Sequence, residues 1–217
     1  MNPDPYISAI VLAAGCSSRM GNTDKLFLRI NGTSILRMSV ENVLNAHVDE
    51  VVVVTGESTL QVQQELKQLD AHVIENQNAR YGMSASLVTG IASVNPKSEA
   101  ALIVLADQPN LKPRSLNELI DAYLSSGKRI SASRYQGILG TPALFDRTLY
   151  PELSNLEGDV GARSIINKFS GETTPVEIPE AESLDIDTLA DFDKMKSLHV
   201  ATKPEPEILN SDINKSG

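Results

Sequence analysis

A chain of 217 residues, 41% hydrophobic and 22% charged, has room for one α/β domain with a real core and the composition of an ordinary globular protein. Its net charge of −9 argues against a nucleic-acid partner, because phosphate backbones are bound through clustered Lys and Arg. No apolar run approaches the roughly 20 residues of a membrane helix, no signal peptide is read at the N-terminus, and the lone Cys16 excludes an intrachain disulfide or a Cys-based metal cluster. A cytoplasmic protein is expected.

Ile7 to Leu12 reads as a buried strand, short, aliphatic and uncharged. It runs straight into Leu12-Ala13-Ala14-Gly15-Cys16-Ser17-Ser18-Arg19-Met20-Gly21, closed by Lys25. Small residues let backbone N–H groups come close to a ligand and form concave anion sites. Arg19 and Lys25 add the positive charge that a polyphosphate needs. In an open α/β fold, ligands sit at the carboxyl end of such a strand. Leu12, Ala13, Ala14, Gly15, Ser17, Arg19 and Lys25 are therefore expected to form a phosphate-binding loop. It is not a Walker loop, since Gly21 is followed by Asn22, nor a dinucleotide fingerprint, since no glycine lies between Gly15 and Gly21. The alternative is a small-residue turn carrying a surface Arg and Lys. In so acidic a chain a phosphate site must create its own positive field, which points to a divalent metal beside the two cations. Cys16 is read as a small residue that fits the loop rather than as a redox centre.

Helix and strand patterns then alternate. Ser34 to Ala46 carries Leu36, Val40, Val43 and Leu44 on one helical stripe. Glu50 to Thr55, with four consecutive valines, is a buried strand. Ser58 to Leu69 reads as a helix with Leu60, Leu66 and Leu69 inward, His72 to Ile74 as a short strand, and Ser84 to Val94 as a helix. Ala100 to Leu105 is a buried strand. A helix with Leu116, Leu119, Ile120, Tyr123 and Leu124 on its inner stripe follows, and then a strand over Arg129 to Ser133. Strands joined by helix-length crossovers imply a mostly parallel sheet with helices on both faces. After Gly137 the rhythm changes. Gly140-Thr141-Pro142 punctuates, with a short strand over Ala143 to Phe145 and helices over Arg147 to Leu153, Val160 to Lys168 and Ala190 to Leu198. Residues 1–199 are expected to form one domain. Residues 200–217, rich in Pro, Glu, Asn and Ser, read as a loose tail.

Two acidic features lie beyond the loop. Asp107, in Ala106-Asp107-Gln108-Pro109, follows the Ala100 to Leu105 strand on the same sheet edge as the phosphate loop. Asp185-Ile186-Asp187-Thr188 precedes the last helix. Mg²⁺ takes hard oxygen ligands, typically one or two carboxylates with substrate phosphates and water, and Asp107 with Asp187 would supply them. The alternatives are a turn aspartate before Pro109 and an acidic helix-cap cluster.

Taken in order, the opening loop, Asn78-Ala79-Arg80-Tyr81-Gly82-Met83-Ser84-Ala85-Ser86, Leu105-Ala106-Asp107-Gln108-Pro109, Gly140-Thr141-Pro142, Gly158-Asp159-Val160-Gly161-Ala162-Arg163 and Asp185-Ile186-Asp187-Thr188 resemble the MobA-like nucleotidyltransferases. The molybdenum cofactor cytidylyltransferases are the most similar branch. The resemblance implies a Rossmann-like, mostly parallel sheet of the nucleotide-diphospho-sugar transferase type. It implies transfer of CMP from CTP to the phosphate of molybdenum-bound molybdopterin with release of pyrophosphate, with Mg²⁺ in the crevice and a molybdenum hydroxylase as the client of the product. Leu12-Ala13-Ala14-Gly15 matches the cytidylyl branch, whereas guanylyltransferases open with Leu-Ala-Gly-Gly; Leu189 departs from the Pro often found there.

On this resemblance Arg19, Lys25 and Asp107 are catalytic and Asp107 and Asp187 hold the metal. Gly82 and Ser84 meet the nucleotide at a helix N-terminus, and Ser86, Gly140, Asp159 and Arg163 face the acceptor. Arg163 reads equally well as a surface residue at a helix start. The competing functions are a pyrophosphorylase acting on a sugar or polyol phosphate, a nicotinamide-dependent oxidoreductase of the nicotine blue oxidoreductase kind, and a non-catalytic carrier of finished cofactor.

Overall fold

The computed structural model describes residues 5–15 and 24–201. Strand β1 (Ile7–Ala13) is buried along its whole length. A small hairpin of β2 (Arg29–Ile30) and β3 (Thr33–Ser34) follows. It turns on Asn31 and Gly32, both at positive φ, as the tight Asn-Gly hairpin requires. Ser34 then caps α1 (Ile35–Leu44), its hydroxyl accepting from the Arg37 N–H at 3.1 Å, which satisfies one of the orphan donors of the first turn.

Next come β4 (Glu50–Thr55), α2 (Thr59–Glu65), β5 (His72–Glu75), α3 (Met83–Ser93) and β6 (Ala100–Leu105). The second half contains α4 (Pro113–Ser126), β7 (Ile130–Tyr135), β8 (Ile138–Asp146), α5 (Tyr150–Ser154), α6 (Arg163–Lys168), β9 (Thr173–Glu177) and α7 (Leu189–Ala201).

Seven strands form one sheet in the order β5-β4-β1-β6-β8-β7-β9. All neighbours pair in parallel except at β8, which runs antiparallel to both β6 and β7. The expected mostly parallel sheet is therefore present, with one reversed strand. That reversal explains the change of rhythm after Gly137: β7 and β8 are joined by a tight turn at Gln136 and Gly137, both at positive φ, with no helical crossover.

β1 divides its side chains between the two faces. Ala9, Val11 and Ala13 pack with α1 and α4, while Ile10 and Leu12 pack with α3, α5 and α6. β4 does the same, Val51 and Val53 to one side and Val52 and Val54 to the other. Four consecutive valines are therefore all buried, as a central parallel strand demands.

Three local expectations are corrected. The helix after β4 ends at Glu65, and Val62, not Leu60, occupies its buried face; Leu60 is 83% exposed. In α4, Tyr123 turns inward and donates its hydroxyl to Asp146 Oδ2 at 2.7 Å, leaving Leu124 exposed. β8 runs for nine residues through Gly140-Thr141-Pro142. A register shift opposite, between Ala132 and Ser133, accommodates a proline that has no N–H for the ladder. β9 was not foreseen because Pro175 interrupts it; at the sheet's edge that costs no necessary hydrogen bond. Among the described residues no helix is long and apolar enough to cross a membrane.

α3 crosses β1 and β4 at Gly90, where an added Cβ would lie 2.5 Å from Ile10 Cγ2 and 3.2 Å from Val54 Cγ2. Both neighbours are fully buried and cannot swing aside. Gly90→Ala is therefore expected to destabilise the fold by about 1–3 kcal/mol through overpacking, despite the better helix propensity of alanine. Urea denaturation would show this as a lower midpoint at unchanged slope.

Candidate active site

β1 and β6 end side by side. The Ala106 N–H donates to Leu12 O at 3.1 Å, carrying the ladder one step beyond β6, so that Asp107 emerges next to Ala13, Ala14 and Gly15. A cleft of about 550 Å³ opens there. Its lining includes all four of Leu12, Ala13, Ala14 and Gly15, together with Lys25, Gly82, Ser86, Asp107 and Asp159. Ser17 and Arg19 lie outside the described residues.

Lys25 opens a single 3₁₀ turn, Lys25–Phe27, capped by Asp24, whose Oδ1 accepts from the Leu26 N–H. Leu26 is buried and anchors that turn, which directs the lysine into the cleft. Lys25 Nζ donates to Asp107 Oδ2 at 2.6 Å and to Asp187 Oδ1 at 2.9 Å. Asp187 reaches this point because Ile186, fully buried, donates its N–H to Asp107 O at 3.1 Å. Three segments far apart in sequence therefore meet at one ammonium. At the start of α7, Thr188 Oγ1 accepts from the Asp191 N–H at 3.2 Å while Asp191 Oδ2 accepts from the Thr188 N–H at 2.8 Å, and Asp187 turns its Oδ1 to Lys25. The Asp107 carboxylate does not stabilise its own turn, since it is paired with Lys25.

Burial alone would push the Lys25 pKa down, but Asp107 and Asp187 outweigh it and hold it above the usual lysine value. Lys25 is charged throughout the neutral range. Asp185 is pushed up to about 6, by burial first and then by the nearby Asp107 charge, against the hydrogen bond that Gln108 Nε2 donates to it at 2.7 Å. Among the described residues, three carboxylates gather around this one ammonium.

Asp107 Oδ1 is buried with no hydrogen-bond partner among the described residues. An all-oxygen donor set with one oxygen unsatisfied fits a hard divalent cation. Among the described residues no group of three or more His, Cys, Asp or Glu is arranged to cage a metal. A cation here would be held by Asp107 and Asp187 and complete its shell with water and phosphate, the pattern of Mg²⁺.

The other wall is the start of α3. Gly82 sits at φ +104, and a Cβ there would meet Gly158 O at 2.7 Å, so only glycine lets the two backbones approach. Ser84 donates its hydroxyl to Gly158 O at 2.6 Å and does not line the cleft. Asp159 Oδ1 accepts from the Met83 N–H at 3.4 Å. Arg163 is exposed and its Nε donates to Leu139 O at 3.2 Å, with its guanidinium against Gly140. Gly140 and Arg163 thus form a pair of their own, outside the lining of the cleft. Ser86, grouped with them from the sequence, instead lines the cleft with the opening loop. Tyr81 and Met83 also line it. Both lie in the Asn78 to Ser86 segment, which marked the place without assigning them a role.

The family model for the MobA-like NTP transferase domain matches residues 9–174. The chain belongs to this family. Purine catabolism protein PucB of Bacillus subtilis is 31% identical over 204 residues, spanning 88% of this chain and 97% of that protein. Nicotine blue oxidoreductase of Paenarthrobacter nicotinovorans is 27% identical over 172 residues, 76% of this chain and 83% of that one. The crystal structure of Rv0371c from Mycobacterium tuberculosis superposes with a TM-score of 0.79 at 27% identity, covering 90% of this chain and 100% of that one. Its manganese complex gives 0.73 at 26% identity, over 88% and 98% of the two chains. The fold is that of the nucleotidyltransferases.

Removing the ammonium would take from Asp107 the ion pair that its Oδ2 makes in a partly buried place. Lys25→Met is expected to lower the unfolding free energy in metal-free buffer by about 1–3 kcal/mol. The loss should shrink when Asp107→Asn is added, because the uncompensated charge is then gone; chemical denaturation of the single and double variants checks both.

Proposed function

We propose that this nucleotidyltransferase moves CMP from CTP to the phosphate of a molybdopterin-type acceptor and releases pyrophosphate, with residues 1–199 as its catalytic domain. The convergence of Lys25, Asp107 and Asp187 at the mouth of the Leu12 to Gly15 loop carries this reading. The acceptor phosphate is already an anion at neutral pH and needs no strong base. The barrier lies in bringing two anions together and stabilising charge at the α-phosphorus during in-line attack.

Lys25 supplies a fixed positive charge for the triphosphate, with Arg19 assigned the same task. The backbone N–H groups of Ala13 to Gly15 approach it without side-chain hindrance. Asp107 and Asp187 would hold Mg²⁺, which when bound neutralises phosphate charge and orients the leaving pyrophosphate. The manganese complex of the similar Rv0371c supports divalent-metal use. Gly82 and Ser84 serve the nucleotide through the loop they hold in place, and Asp159, Gly140 and Arg163 are assigned to the acceptor side. The product would pass to a molybdenum hydroxylase. The cytidylyl choice rests on Ala14, whose methyl group narrows the loop relative to glycine.

The decisive assay incubates the protein with Mg²⁺, molybdopterin and CTP, GTP, ATP or UTP and follows pyrophosphate release. CTP should be used far better than GTP, and Ala14→Gly should relax that preference. Equal turnover of CTP and GTP by the unaltered protein overturns the cytidylyl assignment. The similarity to nicotine blue oxidoreductase favours a second reading, reduction of an organic substrate by NADPH. A parallel arm with NADPH and an organic redox dye as electron acceptor decides between the two, since dye-dependent oxidation of NADPH without pyrophosphate release would replace the first.

Asp107→Asn keeps the side chain's shape but removes its charge. It is expected to lower nucleotidyl transfer by at least about a hundredfold, with poor rescue by excess Mg²⁺ and an unchanged circular dichroism spectrum. Asp187→Asn should be milder, because that carboxylate is 45% exposed and Asp107 only 19%.

A further inference from the structure

The two carboxylates that flank Ile186 are engaged differently. Asp187 Oδ1 faces Lys25, whereas Asp185 Oδ1 accepts from Gln108 Nε2 at 2.7 Å. Gln108 follows Asp107 directly, so the turn after β6 and the run from Asp185 to Asp187 are joined by two bonds of opposite sense. The Ile186 N–H donates to Asp107 O at 3.1 Å, and the Gln108 side chain donates back to Asp185.

Gln108 is a costly residue for this place. It is 4% exposed, and its Oε1 is buried with no hydrogen-bond partner among the described residues. A buried acceptor left unpaired lowers stability, and an apolar side chain of the same volume would avoid that loss. What the amide contributes is therefore the one bond made by Nε2. Its direction is fixed, because an ionised carboxylate only accepts and an amide nitrogen only donates.

That bond is not needed to attach the segment as a whole. Farther from Lys25, Asn110 Nδ2 donates to Ala181 O at 3.2 Å and the Lys112 N–H to Glu182 Oε2 at 2.9 Å. On the other side of Asp187, the Thr188 hydroxyl donates to Asp191 Oδ2 at 2.7 Å. Between these fastenings Asp185 to Asp187 belong to no helix or strand. Among the described residues Gln108 is the one hydrogen-bond partner of the Asp185 carboxylate.

We propose that Gln108 is a positioning residue for the divalent cation held by Asp107 and Asp187, and that Asp185 serves as its anchor and not as a third ligand. The proposal rests on the reading of Asp107 and Asp187 as the cation's holders. Two ligands carried on separate segments bind a cation well only when their spacing is set before it arrives, and hydrogen bonds behind the ligands set it. Asp107 is placed by the end of β6. Asp187 is placed by the paired bonds at Asp185 and Ile186, of which only the first belongs to a side chain and can be removed by substitution.

The test is titration of the protein with Mn²⁺ alone, the free ion being read by electron paramagnetic resonance. Gln108→Met keeps the volume and removes the donor; Asp185→Ala removes the acceptor. Each should weaken Mn²⁺ about tenfold, the lower end of what such supporting bonds contribute. The double variant should lose no more than either single one, because both substitutions break the same bond. Asp185→Asn keeps a carbonyl oxygen for Gln108 Nε2 and should stay within about threefold of the wild-type protein. In turnover, Gln108→Met should raise the Mg²⁺ concentration for half-maximal rate about tenfold while kcat at saturating Mg²⁺ changes less than about threefold.

Unchanged Mn²⁺ binding by Gln108→Met or by Asp185→Ala overturns the proposal. A loss in Asp185→Asn equal to that in Asp185→Ala also overturns it, since the charge and not the acceptor would then matter, as for a direct ligand. Multiplied losses in the double variant overturn the route through Asp185. If Gln108→Met does not fold, the comparison of Asp185→Ala with Asp185→Asn decides alone. Failure of the wild-type protein to bind Mn²⁺ overturns the metal reading and this inference together, whereas binding that is indifferent to Gln108 overturns only the inference.

Discussion

One ammonium, that of Lys25, holds the carboxylates of Asp107 and Asp187 2.6 and 2.9 Å away, and the geometry of the cleft depends on this contact. Each partner arrives by a different device. Lys25 is aimed by a capped 3₁₀ turn whose Leu26 is buried. Asp107 is the second residue past a buried strand, and Asp187 is drawn in by the buried Ile186 and its backbone bond to Asp107. The three charges compensate one another in a partly buried place where none could stand alone at low cost. Among these described groups, with Asp185 close by, three carboxylates face one ammonium, and the proposed cation would offset that difference.

The second constraint is the approach of backbone to backbone on the opposite wall. Gly82 and Gly158 come so close that no side chain fits at Gly82, and Ser84 spends its hydroxyl holding that contact. The start of α3 is thereby fixed against the loop between α5 and α6, and Gly90, two turns on, seats the helix against Ile10 and Val54. A helix pinned at both places presents Ser86 at a defined height above the end of β1. The apolar packing of the sheet and this wall of the cleft are thus one mechanical unit.

Much of this was legible in the residues. The strand-then-small-residue pattern at Ile7 to Gly15 marked the end of β1 because an uncharged aliphatic run gives way there to small residues, and Leu12 to Gly15 line the cleft. Asp107 was legible for the same reason, at the end of a second apolar run. Less was legible where a hydrophobic pattern admitted two helical faces, as with Leu60 against Val62. It was also weaker where a strand was broken by proline at an edge, as in β9. Ser86, Gly140, Asp159 and Arg163 were grouped by motif, yet Ser86 and Asp159 line the cleft while Gly140 and Arg163 pair outside it. Motif order records that residues are near one another, not which way they face.

The sequence by itself determined the fold class, the sheet edge that carries the site and the chemical types gathered there, because these follow from period, burial and the placement of charge along the chain. Only the tertiary structure decided the partners. Lys25 and Asp187 lie 162 residues apart, and nothing local requires them to meet. The Gln108 amide likewise finds its partner 77 residues on, in Asp185, and that bond separates the tasks of the two aspartates around Ile186. Hydrogen-bond partners are set by which groups converge in space, and that convergence exists only once the sheet and the segment ending at Asp187 have packed together.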